Sequence, residues 1–226
     1  VIALSPDAFA ARLRGHGRDR YHDKHPFHIR MHGGSLSRDQ IRAWVANRYY
    51  YQTRIPIKDA LLISKSEDPA FRRMWIRRIH DHDDPNGGIA QWEKLAVGVG
   101  LDVNDVRNFR DVLPAVRFAC DSYVSLVTRV SLVEAVASSL TEFFSPDIMR
   151  TRVAAWEKHY PWIAADVLEY FRSRPAKATR DSSEALDFVV THATTLELQD
   201  ACAAALATKC EILWALLDAV ALAHPS

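Results

Sequence analysis

Residues 37–64 read SRDQIRAWVANRYYYQTRIPIKDALLIS. Ser37 followed three residues later by Gln40 has the spacing of a capping box, in which each side chain satisfies the other residue's backbone N–H. Ile41, Trp44, Val45 and Arg48 then recur at helical intervals, so the spacing predicts a helix that begins near residue 37 and continues to Ser64. Pro56 lies inside it, and a residue without an N–H predicts a kink or break just before that point.

The same signals extend outward. Ser5-Pro6 and Ser145-Pro146 each place a capping side chain before a proline suited to a first helical position. Further helices are expected near 69–82, 87–99, 114–128, 131–143, 146–159, 161–173, 182–192 and 195–222. Four of the eight glycines form the pairs Gly33-Gly34 and Gly87-Gly88, where turns are expected. The apolar stretch Asp187 to Val190 is ambiguous alone, but no Asn-Gly or Asp-Gly turn joins alternating apolar runs. The expectation is an all-α, compact helical bundle formed as a single domain over residues 1–226, since no repeat or linker divides it. The long Leu196 to Ala223 stretch is left to pack across the bundle or to form a dimer contact.

Composition narrows the function. Lys and Arg number 29 against 28 Asp and Glu, a balance that provides no electrostatic reason to expect nucleic acid or an anionic membrane as partner. Three cysteines, none in a CxxC pair, read as reduced structural thiols, and without an apolar span the expected location is cytoplasmic. A nucleophile elbow, a phosphate loop and the Glu-x-x-His pairs of di-iron bundles are all missing.

Several polar residues stand where a bundle calls for apolar ones. Arg48, Tyr51 and Gln52 share one helical face, where the guanidinium is suited to clamp a carboxylate with two hydrogen bonds; an exposed face with an ordinary salt bridge is the alternative. Tyr170 and Arg174 repeat the spacing, either as a second such pair or as an arginine-rich helix end. Arg77 to Asp83 ends a helix in alternating His and Asp, leaving three readings open: a metal site, proton transfer by His82 beside Arg78, or plain helix capping. Glu142 and Lys209 lie in apolar runs, where a charge marks either a polar cavity or a buried Glu142–Lys209 pair. The excess of 22 arginines over 7 lysines fits a cavity built for a ligand with several carboxylates.

Trp44 to Gln52, Ile55 to Ala60, Asp81-His82-Asp83, Val112-Leu113-Pro114, Arg117-Phe118, Ser138 to Glu142, His159 to Trp162 and Tyr170 to Arg174 closely resemble the pyrroloquinoline-quinone synthase family, in collinear order from about Tyr21 to Ala219. The resemblance implies a haem-oxygenase-like, TenA-like bundle, dimeric, without metal or organic redox cofactor. It would close and oxidise a bicyclic tricarboxylate quinone precursor to pyrroloquinoline quinone (PQQ), with O2 as acceptor and H2O2 as product. It makes His82 the candidate base, with Tyr170 and Arg174 closing over the substrate. Tyr21, His22, Arg48, Gln52, Lys58, Arg78, Tyr123, Glu142, Met149, Arg152 and Lys209 would line the pocket, with Arg48, Lys58 and Arg152 contacting carboxylates. Met149 stands where several members carry histidine, and the loop Asp83 to Gly88 is shorter than its family counterpart. Two other readings remain: a non-catalytic PQQ-binding or carrier bundle, and a metal-dependent oxygenase of the same fold using His80 and His82.

Overall fold

The computed structural model describes residues 2–225. In chain order the α-helices are α1 (Pro6–Arg20), α2 (Pro26–His32), α3 (Arg38–Ser64), α4 (Pro69–Asp83), α5 (Gly88–Gly98), α6 (Val103–Arg107), α7 (Pro114–Arg129), α8 (Leu132–Ser138), α9 (Ser145–His159), α10 (Glu169–His192) and α11 (Leu196–Ala223). Short 3-10 turns cover His22–Lys24, Ser139–Phe144 and Ala165–Leu168, and no strand occurs among the described residues. The bundle expectation is met, and Asp187 to Val190 lies within α10. No described helix is long and apolar enough to cross a membrane.

The capping box forms as its spacing requires: Gln40 N–H donates to Ser37 Oγ at 3.2 Å, and Ser37 N–H donates to Gln40 Oε1 at 3.0 Å. The amide of Gln40 also donates to the carbonyl of His224 at 2.9 Å, which ties the start of α3 to the end of α11. Pro56 does not break α3, and Pro175 does not break α10, so the single helix 169–192 replaces the expected pieces 161–173 and 182–192. Each proline forfeits one backbone bond. Burial of neighbouring Tyr51, Ile55 and Leu62 in α3, and of Phe171, Ala178 and Ala185 in α10, outweighs that loss. Ser145 is not a cap: the 3-10 turn before it leads directly into α9, and its side chain is buried instead. The short α2 and α6 had no clear sequence signal.

α10 packs on α9, α11 on α7 and α8, and α3 on α4 and α7. At the junction of α3, α5, α9 and α10 the rings of Trp44, Trp92, Trp156 and Phe171 meet with centroids 5.5–6.4 Å apart, all at most 1 % exposed. Aromatic rings carry large apolar area with few rotatable bonds, so this cluster is a rigid wall. The Arg152 guanidinium lies against it, 4.8 Å from the Trp44 ring and 5.3 Å from Phe171.

Candidate active site

Five elements bring polar side chains to one internal cavity of ≈ 30 Å³. α3 supplies Arg48 and Tyr51, the segment after α1 supplies Tyr21 and His22, and the 3-10 turn 139–144 supplies Thr141 and Glu142. α9 contributes Ser145, Met149 and Arg152, and α10 contributes Tyr170 and Arg174. A drug-sized ligand needs roughly 300 Å³ or more, so these side chains must move outward to admit one.

The charge balance around the cavity is lopsided. Arg48, Arg152 and Arg174 face a single carboxylate, Glu142, which lies 3.0 Å from Arg174 Nη2. Burial works to raise the Glu142 pKa, yet Arg174 and Arg78 together hold it below the usual carboxylate range, so it stays ionised. Burial, with Arg48 and Arg152 nearby, pushes His22 well below the ordinary histidine value and leaves it neutral. Arg48 makes no ion pair among the described residues; its guanidinium lies 3.9 Å over the Tyr51 ring, and the exposed salt-bridge alternative is discarded. Arg48 Nη1, Arg152 Nε, His22 Nδ1 and Glu142 Oε2 are all buried without a hydrogen-bond partner among the described residues. Buried polar groups are ordinarily satisfied, so this concentration marks a surface built for a polar ligand.

A second layer stands behind the first. Tyr170 donates from its hydroxyl to Gln52 Oε1 at 3.0 Å. His82 is 1 % exposed and its Nδ1 lies 2.9 Å from the Arg78 carbonyl. A carbonyl can only accept, so the proton resides on Nδ1, and Nε2, which has no partner among the described residues, carries the lone pair. Burial and then Arg174 push the His82 pKa down to about 4. A Cβ at Gly88 would lie 3.3 Å from both His82 Cδ2 and Tyr170 Cε2, so the glycine lets the two rings close on one spot. The loop before it is compact, closed by a 2.6 Å bond from Gly87 N–H to the Asp84 carbonyl.

The remaining expected pocket residues form a separate buried cluster. Lys58 Nζ lies 2.6 Å from Asp59 Oδ1 and donates to Ser139 Oγ at 3.1 Å, while Asp59 also accepts from Trp75 Nε1 at 2.7 Å. The Arg78 guanidinium lies 3.8 Å over the Trp75 ring and donates to the Asp181 carbonyl. Lys209 donates to the Tyr51 hydroxyl at 2.8 Å and sits 3.5 Å over Tyr123. The Glu142–Lys209 pair does not exist, because Glu142 binds Arg174 and Lys209 binds Tyr51. Gln52, Lys58, Arg78, His82, Tyr123 and Lys209 therefore do not line the inner cavity; they reach it through Tyr51, Tyr170 and Arg174.

His80 is exposed whereas His82 is buried, and no group of three metal-ligating side chains forms among the described residues. Asp81 turns outward to Lys177 at 3.2 Å and to Arg180. Tyr51, singled out on the face it shares with Arg48 and Gln52 but not among the residues expected to line the pocket, does line it. Two contributors escaped the sequence reading. His28 reaches the site through a long-range contact, 3.3 Å from Arg152 Nη2, whereas Asp181 lies two turns further along α10 from Arg174, 3.7 Å from its Nη2, a spacing visible in the sequence.

Residues 10–219 match the model of the TENA/THI-4/PQQC family. The chain is 51 % identical over 227 residues to a pyrroloquinoline-quinone synthase of Rhizobium rhizogenes, covering 99 % of this chain and 92 % of the relative. It is 49 % identical to a pyrroloquinoline-quinone synthase of Acidiphilium cryptum, covering 100 % and 93 %. In shape it is similar to a TenA homologue from Pseudomonas syringae, with a TM-score of 0.80 at 15 % identity over 95 % of this chain and 93 % of that one. A protein with a haem-oxygenase-like fold from Shewanella denitrificans superposes with a TM-score of 0.77 at 13 % identity, covering 96 % and 92 %. Sequence identity along almost the whole length and the shared helical architecture lead to one conclusion: the chain belongs to the TENA/THI-4/PQQC family.

Proposed function

We propose that this chain converts a bicyclic tricarboxylate quinone precursor to pyrroloquinoline quinone, using molecular oxygen as acceptor. The observation that carries the reading is the cavity where three guanidiniums face one carboxylate, in a chain half identical to pyrroloquinoline-quinone synthases. Two uncompensated positive charges suit a ligand with several carboxylates, and a guanidinium binds each one through paired hydrogen bonds.

Ring closure forms a C–N bond by attack of the side-arm amine on a quinone carbonyl and expels water. Once the cavity's side chains have moved outward to admit the precursor, His82 Nε2, behind Tyr170 and Arg174, is the available base for the ring protons, since its lone pair is free at neutral pH. Each deprotonation yields an electron-rich quinol, which passes two electrons and two protons to O2 and forms H2O2. Tyr170 and Arg174 stabilise the anionic intermediates, and Arg48 and Arg152 hold the carboxylates. The reading requires no metal or organic redox cofactor. It places the reaction in the cytoplasm, consistent with three buried free cysteines. It also pairs two copies of the chain through the groove between α7 and α11, where Phe118 is 77 % exposed beside Pro114 and Ile212.

The test mixes metal-free protein with the precursor under air and under argon, following quinone absorbance and peroxide. Product and peroxide under air alone, without added metal, are expected. Precursor bound without product would transfer the assignment to a binding or carrier role, and dependence on added metal would transfer it to the oxygenase reading.

A further inference from the structure

The internal cavity is too small for the proposed substrate, but a second hollow of ≈ 670 Å³ adjoins it on the α1 and α9 side. The two share Tyr21 and Ile148 as common wall. The outer hollow has the capacity of an ordinary small-molecule site, roughly 300–1,000 Å³. Phe144 lines it, and its ring is tilted against Tyr21 with centroids 5.2 Å apart. The same ring packs onto Gly17 of α1, where a Cβ would lie 2.2 Å from Phe144 Cε2. Glycine at that position is what lets the ring lie flat across the wall.

The charges of the outer hollow also point one way. Its two acids are already engaged, Asp23 with Lys24 at 3.2 Å and Asp147 with Arg150 at 2.6 Å. Among the described residues Arg14 has no carboxylate partner and lies over the Phe143 ring at 5.2 Å, while Arg18 has only a loose 3.5 Å contact with Asp19. Both guanidiniums are exposed at the rim. Inside, His32 of the same hollow stacks on His28 at 5.9 Å, and His28 contacts Arg152 of the inner cavity.

We propose that this hollow is a vestibule that captures the polycarboxylate quinone before it enters the inner cavity, with Arg14 and Arg18 collecting the anion and the paired rings of Tyr21 and Phe144 forming the gate. The inference rests on the proposed synthase reading for the ligand's identity, but not for the existence of the gate. Charges at the mouth of a cleft act mainly on encounter, raising association rates by about 10–1,000-fold and losing effect as salt rises.

The experiment measures association of PQQ itself by stopped-flow absorbance, at low and high ionic strength. Arg14→Ala/Arg18→Ala is expected to slow association about fivefold or more at low salt, with the difference disappearing at high salt and kcat with the precursor unchanged. Arg73→Ala/Arg129→Ala removes the same charge from other exposed helix positions and should leave the rate near wild type. Phe144→Ala should speed both association and dissociation while changing their ratio little. Equal slowing by the two double variants, or unchanged rates in both Arg14→Ala/Arg18→Ala and Phe144→Ala, would overturn the vestibule. A wild-type protein that binds PQQ with these dependences yet forms no product would overturn the synthase reading and leave the vestibule standing.

Discussion

Replacing His82 with asparagine removes a buried imidazole that the fold keeps neutral. In the folded chain its pKa is pushed down to about 4 by burial and then by Arg174, whereas in the unfolded chain it takes the ordinary value near 6.5. Between those two values the unfolded state binds a proton and the folded state does not, so stability falls as pH falls through that window. At 1.36 kcal/mol per pH unit the full loss is about 3 kcal/mol, complete only below pH 4, and about 2 kcal/mol of it is expressed between pH 7 and pH 4.5. Asparagine cannot take up that proton. His22 and His28, whose pKa values are also lowered first by burial, destabilise both proteins in acid and cancel in the comparison. The assay is urea unfolding of wild type and His82→Asn at the two pH values. The variant is expected to lose about 2 kcal/mol less than wild type on acidification, roughly 1 M in midpoint. Parallel loss in both, leaving a constant offset that reports only the altered packing, would refute the claim that the fold holds this imidazole neutral.

Other expectations concern the site and its supports. The acid limb of kcat/KM should lie near pH 4 rather than 6.5, because that ratio reports the free enzyme and His82 is an unprotonated base above its lowered pKa; Arg174→Gln, by removing a nearby positive charge, should move the limb upward in a pH–rate profile. His82→Asn should cut turnover by about 10²–10⁴-fold while equilibrium binding of PQQ is retained, as read by rapid kinetics and titration. Lys58→Met leaves the Asp59 carboxylate buried with only Trp75 Nε1 as partner and should cost about 3–5 kcal/mol in chemical unfolding; adding Asp59→Asn should recover part of it. Burial pushes the thiols of Cys120 and Cys202 up to about 12 and that of Cys210 up to about 11, so all three should resist a thiol-specific reagent at pH 8 until the chain is unfolded; fast labelling of the native protein would contradict the buried placement.

The helical architecture was legible because its signals are local. The capping box at Ser37 and Gln40, the Ser5 cap with Pro6 at the first helical position and the apolar spacing from Ile41 onward each act within a few residues, and each appears in the fold. The clearest misreadings concerned where helices stop. Of the kink or break expected at Pro56 the break does not occur, and the helices expected at 161–173 and 182–192 are replaced by one continuous helix over 169–192. Site membership was read with less precision. Arg48, Arg152, Arg174, Glu142, Tyr21, His22, Met149 and Tyr170 meet around one cavity, while Lys58 and Arg78 are already held by Asp59 and the Asp181 carbonyl.

The sequence by itself determined that the chain folds as helices, that its polar residues occupy helical faces otherwise built for packing, and which family pattern those faces follow. Helix periodicity and capping depend on neighbours three and four residues away, so order along the chain is enough to specify them. Only the tertiary structure decided the partners. Glu142 chose Arg174 over Lys209, and His82 lost its affinity for a proton. Ion pairing and desolvation depend on distance and burial between segments far apart in the chain, and those are set by how the helices pack.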